Sequence, residues 1–473
     1  MGSSSPLTLD NIAVVAAGRV VGDGSVPVTD VQLDSRRVNP GDLFACVPGA
    51  RFDGHDFAAD AVDSGAVALI TERALSVDVP QLVVGSVRTA MAAAAAEVHG
   101  HPSTELDLIG VTGTNGKTTV THLLAAVLEA AGRSCRVIGT LGGTRTTPEA
   151  PDLQRLLRTW VDEGADSVAM EVSSHALELE RVAFTRFGIS VFTMLGRDHL
   201  DFHGTPERYF AAKARLFEPD LSARAVLNLD APHGRLLRDT VTIPSVGYSL
   251  DDASDLVLTA HGSRFRWRGE EVTITLPGRH NVSNALAALT VGAELGIEPA
   301  VAAAGVARVE RVPGRFDVVP GSKDFAVVVD YSHTPDALAV AIGAAHELTP
   351  GRVIVVFGAG GDRDRQKRPE FGTVAAAADL LFVTSDNPRS EDPAAIIEEI
   401  VAGIPAADRD RARIEPDRRA AIELALGAAE PGDLVLLAGK GHESTQTIGD
   451  DVVAFDDREV AAEMLADLGE GAR

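Results

Sequence analysis

The segment Gly110-Val111-Thr112-Gly113-Thr114-Asn115-Gly116-Lys117-Thr118-Thr119 is where residue type and spacing speak most directly for chemistry. It follows an apolar run at 106–111 and precedes a helical run at 120–131. Glycines let backbone N–H groups approach a triphosphate, and a helix N-terminus favours negative charge. Lys117 can then reach the terminal phosphates while Thr118 ligates magnesium. Gly113, Thr114, Asn115, Gly116, Lys117, Thr118 and Thr119 are therefore the candidate nucleotide loop. The glycine spacing is not that of the general phosphate loop, because Val111 stands six positions before Lys117, so a structural turn is the competing reading. Gly-Lys-Thr at a strand-to-helix junction is hard to explain by packing, which favours the nucleotide.

Two further strand ends present carboxylates and imidazoles: Met170-Glu171-Val172-Ser173-Ser174-His175 and Arg197-Asp198-His199-Leu200-Asp201. Phosphoryl transfer needs charge neutralisation, so a carboxylate beside a phosphate loop is a natural magnesium ligand, and Glu171 is the first candidate. An isolated Asp-His pair is as much at home as a surface cap or a satisfied histidine. The neighbouring phosphate loop tips the balance towards the site.

These segments need a scaffold, and the pattern around them supplies one. Apolar strands at 106–111, 135–139, 167–172, 189–193 and 225–228 alternate with helical stretches, which predicts a mostly parallel sheet covered by helices. A second series at 325–330, 353–358, 380–384 and 434–438 follows Val312-Pro313-Gly314-Arg315 and predicts a separate doubly wound domain. Before them, short apolar segments at 41–47 and 66–71 and an Ala-rich helix at 90–98 read as a small α/β module. Ligands of open α/β sheets sit at the carboxyl ends of strands, so the chemistry belongs where the second and third domains face each other. A length of 473 residues fits three domains at about 150 residues each.

The net charge of −25 argues against a nucleic-acid-binding surface. Cys46 and Cys135 are far apart and outside any metal-binding spacing, which excludes a disulfide framework and a zinc site and suits a reducing compartment. No apolar run approaches the ~18 residues of a membrane span, and residues 1–10 lack a basic stretch followed by an apolar one. A cytoplasmic protein without membrane insertion is expected.

The Gly-Thr-Asn-Gly-Lys-Thr-Thr loop at 113–119 resembles the ATP loop of the Mur ligase family and its folylpolyglutamate synthetase relatives, and the likeness extends over nearly the whole chain. It implies an α/β protein of three domains: 1–102 for the UDP end of the substrate, 103–310 as a P-loop ATPase domain, and 311–473 as a Rossmann-like amino-acid-binding domain. The implied reaction is ATP- and magnesium-dependent addition of meso-diaminopimelate to UDP-N-acetylmuramoyl-L-alanyl-D-glutamate in peptidoglycan precursor synthesis, through an acyl phosphate. A monomer is expected.

Carried over residue by residue, the resemblance places Lys117, Glu171, His199 and Lys213 in catalysis, with Thr118, Glu171, His199 and carbamylated Lys213 holding magnesium. Composition alone would make Lys213, in Tyr209-Phe210-Ala211-Ala212-Lys213-Ala214-Arg215-Leu216-Phe217, a solvated helix residue. Asn281, Asn284, Arg315 and Asp330 are implied on the nucleotide side. Leu33, Ser35 and the stretch 49–55 are similar to the family's UDP pocket, and Thr146, Thr147, Ser173 and Arg181 to its grip on the muramoyl dipeptide. By residue type alone, Thr146-Thr147-Pro148-Glu149 is simply a helix start.

Arg363, Asp386, Asn387, Pro388, Arg389, Gly439 and Glu443 are implied in binding diaminopimelate. By their chemistry, Arg389 can clamp a carboxylate while Asp386 and Glu443 suit an ammonium, and diaminopimelate carries both where lysine lacks the distal carboxylate. Four residues depart from the family pattern: Arg145, Leu179, Met194 and Gly196; the segment between Gly139 and Thr146 is also short, missing a hairpin. A lysine-adding Mur ligase, a folylpolyglutamate synthetase-like ligase and a non-catalytic ATP-binding regulator of wall synthesis are the alternatives.

Overall fold

The computed structural model describes residues 7–49, 52–143, 145–321 and 324–471, with side chains up to 467. Ala50 and Arg51, inside the 49–55 stretch singled out above, and Thr144, in the shortened segment, lie outside the described residues.

The N-terminal sheet runs in the order Arg19–Val21, Gln81–Val83, Ala68–Thr71, Asp42–Ala45, Asp30–Gln32, parallel except for its first pair. Its main cover is the helix Val87–Val98, three residues longer at its start than the alanine run suggests because Ser86 caps it, accepting from Thr89 N at 3.3 Å. This helix also packs on Ala150–Asp162 of the central region. Arg155 Nε to Asp30 at 2.8 Å and Arg37 to Asp152 at 3.0 Å reinforce that junction.

The central sheet is entirely parallel: Ser245–Tyr248, Ala225–Asn228, Ile189–Phe192, Asp107–Thr112, Ser167–Glu171, Cys135–Ile138. Its inner strands are buried on both faces, which is why they read as unbroken apolar runs. Asp107–Thr112 lies between Ser167–Glu171 and Ile189–Phe192, so the loop leaving it emerges between Glu171 and Thr193.

The alternating pattern expected up to residue 310 is interrupted. Ser254–Thr259, Gly262–Trp267 and Glu270–Ile274 form an antiparallel sheet whose Phe265, Trp267, Val272 and Ile274 pack onto the central core. Its signal was local: alternating burial on either side of a two-residue turn, Arg268-Gly269, with φ of +49° and +89°.

The C-terminal sheet has the order Asp317–Val318, Ala326–Asp330, Leu434–Ala438, Val353–Phe357, Leu380–Val383, Ala412–Ile414, with only its first pair antiparallel. Pro335–Leu348, Lys367–Ala375 and Pro393–Ala402 cover one face; Arg418–Ala428 and Asp457–Gly471 cover the other. The doubly wound expectation therefore holds, each predicted strand lying within one or two residues of the observed one. Among the described residues no helix is long and apolar enough to cross a membrane.

Candidate active site

The phosphate loop is shaped by two glycines in backbone conformations that L side chains rarely adopt. Gly113 has φ +151° and a Cβ there would fall 1.9 Å from Thr193 Oγ1; Gly116 has φ +89° and its Cβ would fall 2.6 Å from Asn284 Oδ1. From Gly116 the chain enters the helix Lys117–Ala130. Thr193 Oγ1 also donates to Asn115 O at 2.6 Å, and Thr114 N donates to Met194 O at 2.8 Å. Gly196 N donates to Thr114 Oγ1 at 2.9 Å. Met194 and Gly196 thus support the loop through backbone atoms, which any residue supplies.

Two lysines share one carbonyl. Lys117 Nζ donates to Gly113 O and Thr114 O, each at 2.9 Å, and Lys213 Nζ donates to the same Gly113 O at 2.9 Å. Lys213 is buried rather than solvated, on the helix Pro206–Ala214. Burial, and then the nearby charge of Lys117, push its amine well below the ordinary lysine value. Burial also lowers Lys117, with Glu171 opposing and Arg315 reinforcing the shift.

Glu171 is the hub of the acidic side. Its Oε1 accepts from Thr118 Oγ1 at 3.0 Å and from Thr140 N at 2.8 Å, and its Oε2 accepts from Thr140 Oγ1 at 3.2 Å. His199 lies on the cavity wall, 3.3 Å from Asp198, its ring stacked edge-on against His175 at 4.7 Å. Burial holds His199 down to about 4, with His175, Lys117 and Lys213 acting in the same direction against Asp198. Among the described residues no three His, Cys, Asp or Glu side chains converge as a ready-made metal cluster.

The C-terminal domain closes over this surface. Arg315 donates to Thr118 Oγ1 at 3.1 Å and stacks on Tyr331 at 4.6 Å. Asp330 accepts from Phe316 N at 2.8 Å and from Ser332 Oγ, which fixes the strand end to the interdomain linker. Lys367 reaches Asp198 at 3.1 Å, and Arg197 pairs with Glu370 at 2.7 Å. Asn284 donates to Asn281 Oδ1 at 3.1 Å, and Asn281 donates to Pro277 O at 2.9 Å.

Facing the loop, Asp386 and Asn387 are buried at the end of Leu380–Val383. Asn387 Nδ2 donates to Glu443 at 2.7 Å and its Oδ1 accepts from Thr447 N at 3.0 Å. Arg389, at φ +52°, donates from Nη1 to Gly361 O at 2.6 Å. Pro388 does not line the cavity; its backbone lies against Gly361. Arg363 is exposed on the cavity wall.

One cavity of about 840 Å³ joins these parts. Its wall carries Thr114 to Thr119, Glu171, His199, Asn281, Asn284, Arg315 and Asp330. The same wall carries Arg363, Asp386, Asn387, Arg389, Gly439 and Glu443, and at another part Thr146 and Ser173. Gly113 and Lys213 stand behind it, as the shared carbonyl and its buried donor. Thr147 is buried beneath, donating to Glu171 O at 2.9 Å, and Arg181 is bound to Glu149 at 2.9 Å rather than facing the cavity. Glu149 also holds the departing residue Arg145 at 2.6 Å, while Leu179 contributes its carbonyl to Arg88 at 3.4 Å. Leu33 and Ser35 lie in the N-terminal domain and do not border the cavity. Sequence reasoning missed Thr140, Lys367 and Tyr331 on the wall; only Tyr331 carried a signal, as part of a polar cluster after a strand.

One cavity carries the glycine-shaped loop and, on the same wall, Arg389 beside the acidic Asp386 and Glu443, an arrangement that suits an ATP-dependent ligase. Three family profiles match: the Mur ligase family catalytic domain over 27–107, the Mur ligase middle domain over 111–292, and the Mur ligase glutamate ligase domain over 314–441. The chain belongs to the Mur ligase family. It is 45% identical to the UDP-N-acetylmuramoyl-L-alanyl-D-glutamate--2,6-diaminopimelate ligase of Syntrophomonas wolfei, over 93% of this chain and 94% of that protein. The ligase of the same name from Streptomyces coelicolor is 42% identical over 98% of this chain and 97% of that one. A solved structure of a ligase of that name superposes with a TM-score of 0.70 at 32% identity, covering 98% of this chain and 100% of the other. The Thermotoga maritima MurF ligase in complex with ADP shares the fold, with a TM-score of 0.64 at 22% identity over 94% and 99% of the two chains.

Proposed function

We propose that this chain joins meso-diaminopimelate to the D-glutamyl γ-carboxylate of UDP-N-acetylmuramoyl-L-alanyl-D-glutamate, with ATP as the energy source, in peptidoglycan precursor synthesis. The observation that carries the reading is the single cavity bordered by both the phosphate loop and the Asp386, Arg389 and Glu443 pocket. Relatives at 40–46% identity over most of their length bear the name of that activity.

The γ-carboxylate attacks the γ-phosphorus of ATP, ADP leaves, and an acyl phosphate forms. The free amine of diaminopimelate then attacks the carbonyl carbon, the amide forms, and phosphate leaves as the amine loses a proton. Lys117 must release Gly113 O and Thr114 O to reach the phosphates, and Arg315 is placed to follow the charge of the transferring group. Arg315 on Thr118, with Lys367 on Asp198 and Glu370 on Arg197, holds the closed position of the C-terminal domain, which excludes the water that would hydrolyse the acyl phosphate, while Asp330 anchors the chain next to Arg315 through Phe316 N. Asn281 and Asn284 border the nucleotide side behind Gly116; Thr146 and Ser173 on the wall receive the muramoyl dipeptide, supported from behind by Thr147 and Arg181, and Leu33 and Ser35 in the N-terminal domain serve its UDP end.

A hydroxyl and a carboxylate 3.0 Å apart, Thr118 and Glu171, form a hard oxygen donor pair that fits magnesium completed by phosphate oxygens and water. Magnesium there would neutralise the charge of the phosphates. A second ion at His199 needs more oxygen donors than the described side chains bring together. Lys213 can provide them: its buried amine, whose surroundings disfavour the charged form, can in its neutral form add to carbon dioxide and release a proton, leaving a carbamate.

In the amino-acid pocket, Arg389 receives the distal carboxylate, while Asp386 and Glu443 hold the distal ammonium. Asn387 bridges these two acids, 3.3 Å from Asp386 and 2.7 Å from Glu443, and so sets their spacing. Phosphate release dependent on the muramoyl dipeptide and diaminopimelate together, with ¹⁸O passing from the substrate carboxylate into phosphate, is the expected result. Phosphate release with folate and glutamate, and none with the muramoyl dipeptide, would overturn the proposal.

A further inference from the structure

A fully buried charge pair stands behind the amino-acid pocket. Arg418 and Asp457 meet bidentately, Nε to Oδ1 at 2.7 Å and Nη2 to Oδ2 at 2.6 Å, with both side chains inaccessible to solvent. Arg418 spends its other contacts on two backbone carbonyls: Nη1 donates to Ser385 O at 3.3 Å and Nη2 to Ala438 O at 2.9 Å. Ser385 directly precedes Asp386, and Ala438 directly precedes Gly439. The strands that deliver them, Leu380–Val383 and Leu434–Ala438, are not neighbours, since Val353–Phe357 runs between them. One guanidinium therefore spans the width of a strand and ties together the two loops that form opposite sides of the pocket.

Those loops are close enough for small displacements to matter. A Cβ on Gly439, at φ +115°, would lie 3.0 Å from Asp386 Oδ2. Asp457 in turn opens the helix Asp457–Gly471, and Arg418 opens Arg418–Ala428, so both helices on that face converge on the two pocket loops. A buried ion pair is a weak device for stability, because desolvation offsets its attraction and apolar replacements are often neutral. Its better-supported use is to fix geometry.

We infer that Arg418 and Asp457 form a positioning pair for the incoming amino acid, setting the separation between Asp386 and Asn387 on one side and Gly439 to Glu443 on the other. This rests on the reading of that pocket given above. The pair touches no substrate. It acts through the carbonyls of Ser385 and Ala438, as outer residues orient the groups that bind.

The test is the double substitution Arg418→Met with Asp457→Leu, which removes both charges at similar volume. The expected result is a melting temperature near that of the unaltered protein, an unchanged KM for ATP, and a KM for diaminopimelate raised about 10- to 100-fold. A folded double variant with an unchanged KM for diaminopimelate overturns the inference. If that variant does not fold, Arg418→Lys retains the charge next to Asp457 but replaces the three-nitrogen fork that reaches Asp457, Ser385 O and Ala438 O with a single nitrogen. It should show a smaller rise confined to the same KM, and no rise overturns the inference. An unaltered enzyme that prefers another amine refutes only the diaminopimelate assignment, and the pair is then scored on that amine's KM with the same two outcomes. Absence of ligation with any amine overturns both readings.

Discussion

The phosphate loop and the proposed amino-acid pocket border one cavity, but they are built by opposite means. The loop is a single stretch, Gly113 to Thr119, whose shape comes from two positive-φ glycines and a helix start. The pocket draws Arg363, then Asp386, Asn387 and Arg389, then Gly439 and Glu443 from three loops, and what ties them together lies underneath, in the Asn387–Glu443 bond and the Arg418–Asp457 pair. The loop's shape is set largely by its own backbone, braced by Thr193, Met194 and Gly196. The proposed amino-acid pocket rests on spacing between strands that are not neighbours, so changes outside it should alter its choice of amine.

The largest effect should come from the loop itself. Lys117→Ala is expected to lower kcat by about 10³-fold with little change in the melting temperature, read by ADP release in the presence of all substrates. A rise confined to the KM for ATP, with kcat unchanged, would mean that Lys117 binds the nucleotide without serving the transferring group. Next comes Lys213→Ala, with kcat expected to drop by about 10²-fold. In the unaltered protein, ¹³C-bicarbonate should give a carbamate carbon signal that this variant lacks, and its absence from both would refute the carbamate.

On the other side of the cleft, Arg389→Ala should remove about 2 kcal/mol of preference, roughly 30-fold in kcat/KM, for diaminopimelate over lysine. Unchanged discrimination would detach Arg389 from the distal carboxylate. The smallest effect concerns acid stability. Burial, then the charge of Arg315, hold His442 down to about 4 against an ordinary value of 6.5. Between those values the unfolded chain binds the extra proton, so stability rises with pH from about 4 to 6.5 and the contribution is fully lost below that window. His199 acts with the same sign. His442→Gln should therefore flatten the rise of melting temperature across this window, and an unaltered slope would show that His442 is not buried neutral.

The same contrast explains what the sequence made legible. Parallel strands buried on both faces are continuous apolar runs, so the inner strands of the two large sheets could be placed within a residue or two, whereas the edge strands Ser245–Tyr248, Asp317–Val318 and Ala412–Ile414, short or half-exposed, gave no such run. The antiparallel Ser254–Ile274 sheet carried only short alternating runs and was passed over. The phosphate loop is contiguous and could be read residue by residue. Arg418 could not: in Asp417-Arg418-Arg419 it looks like part of a solvated charge run, and its partner lies 39 positions away. Met194 and Gly196 looked like losses by residue type, whereas the atoms that matter there are backbone ones.

The central claim is that one cleft couples phosphoryl transfer to capture of an amine with a second amino-acid head. Competition between meso-diaminopimelate and L-lysine for ATP-dependent addition to UDP-N-acetylmuramoyl-L-alanyl-D-glutamate, read by product mass, tests it most directly. The diaminopimelate product should dominate; equal amounts of the two products, or an excess of the lysine product, would contradict the account.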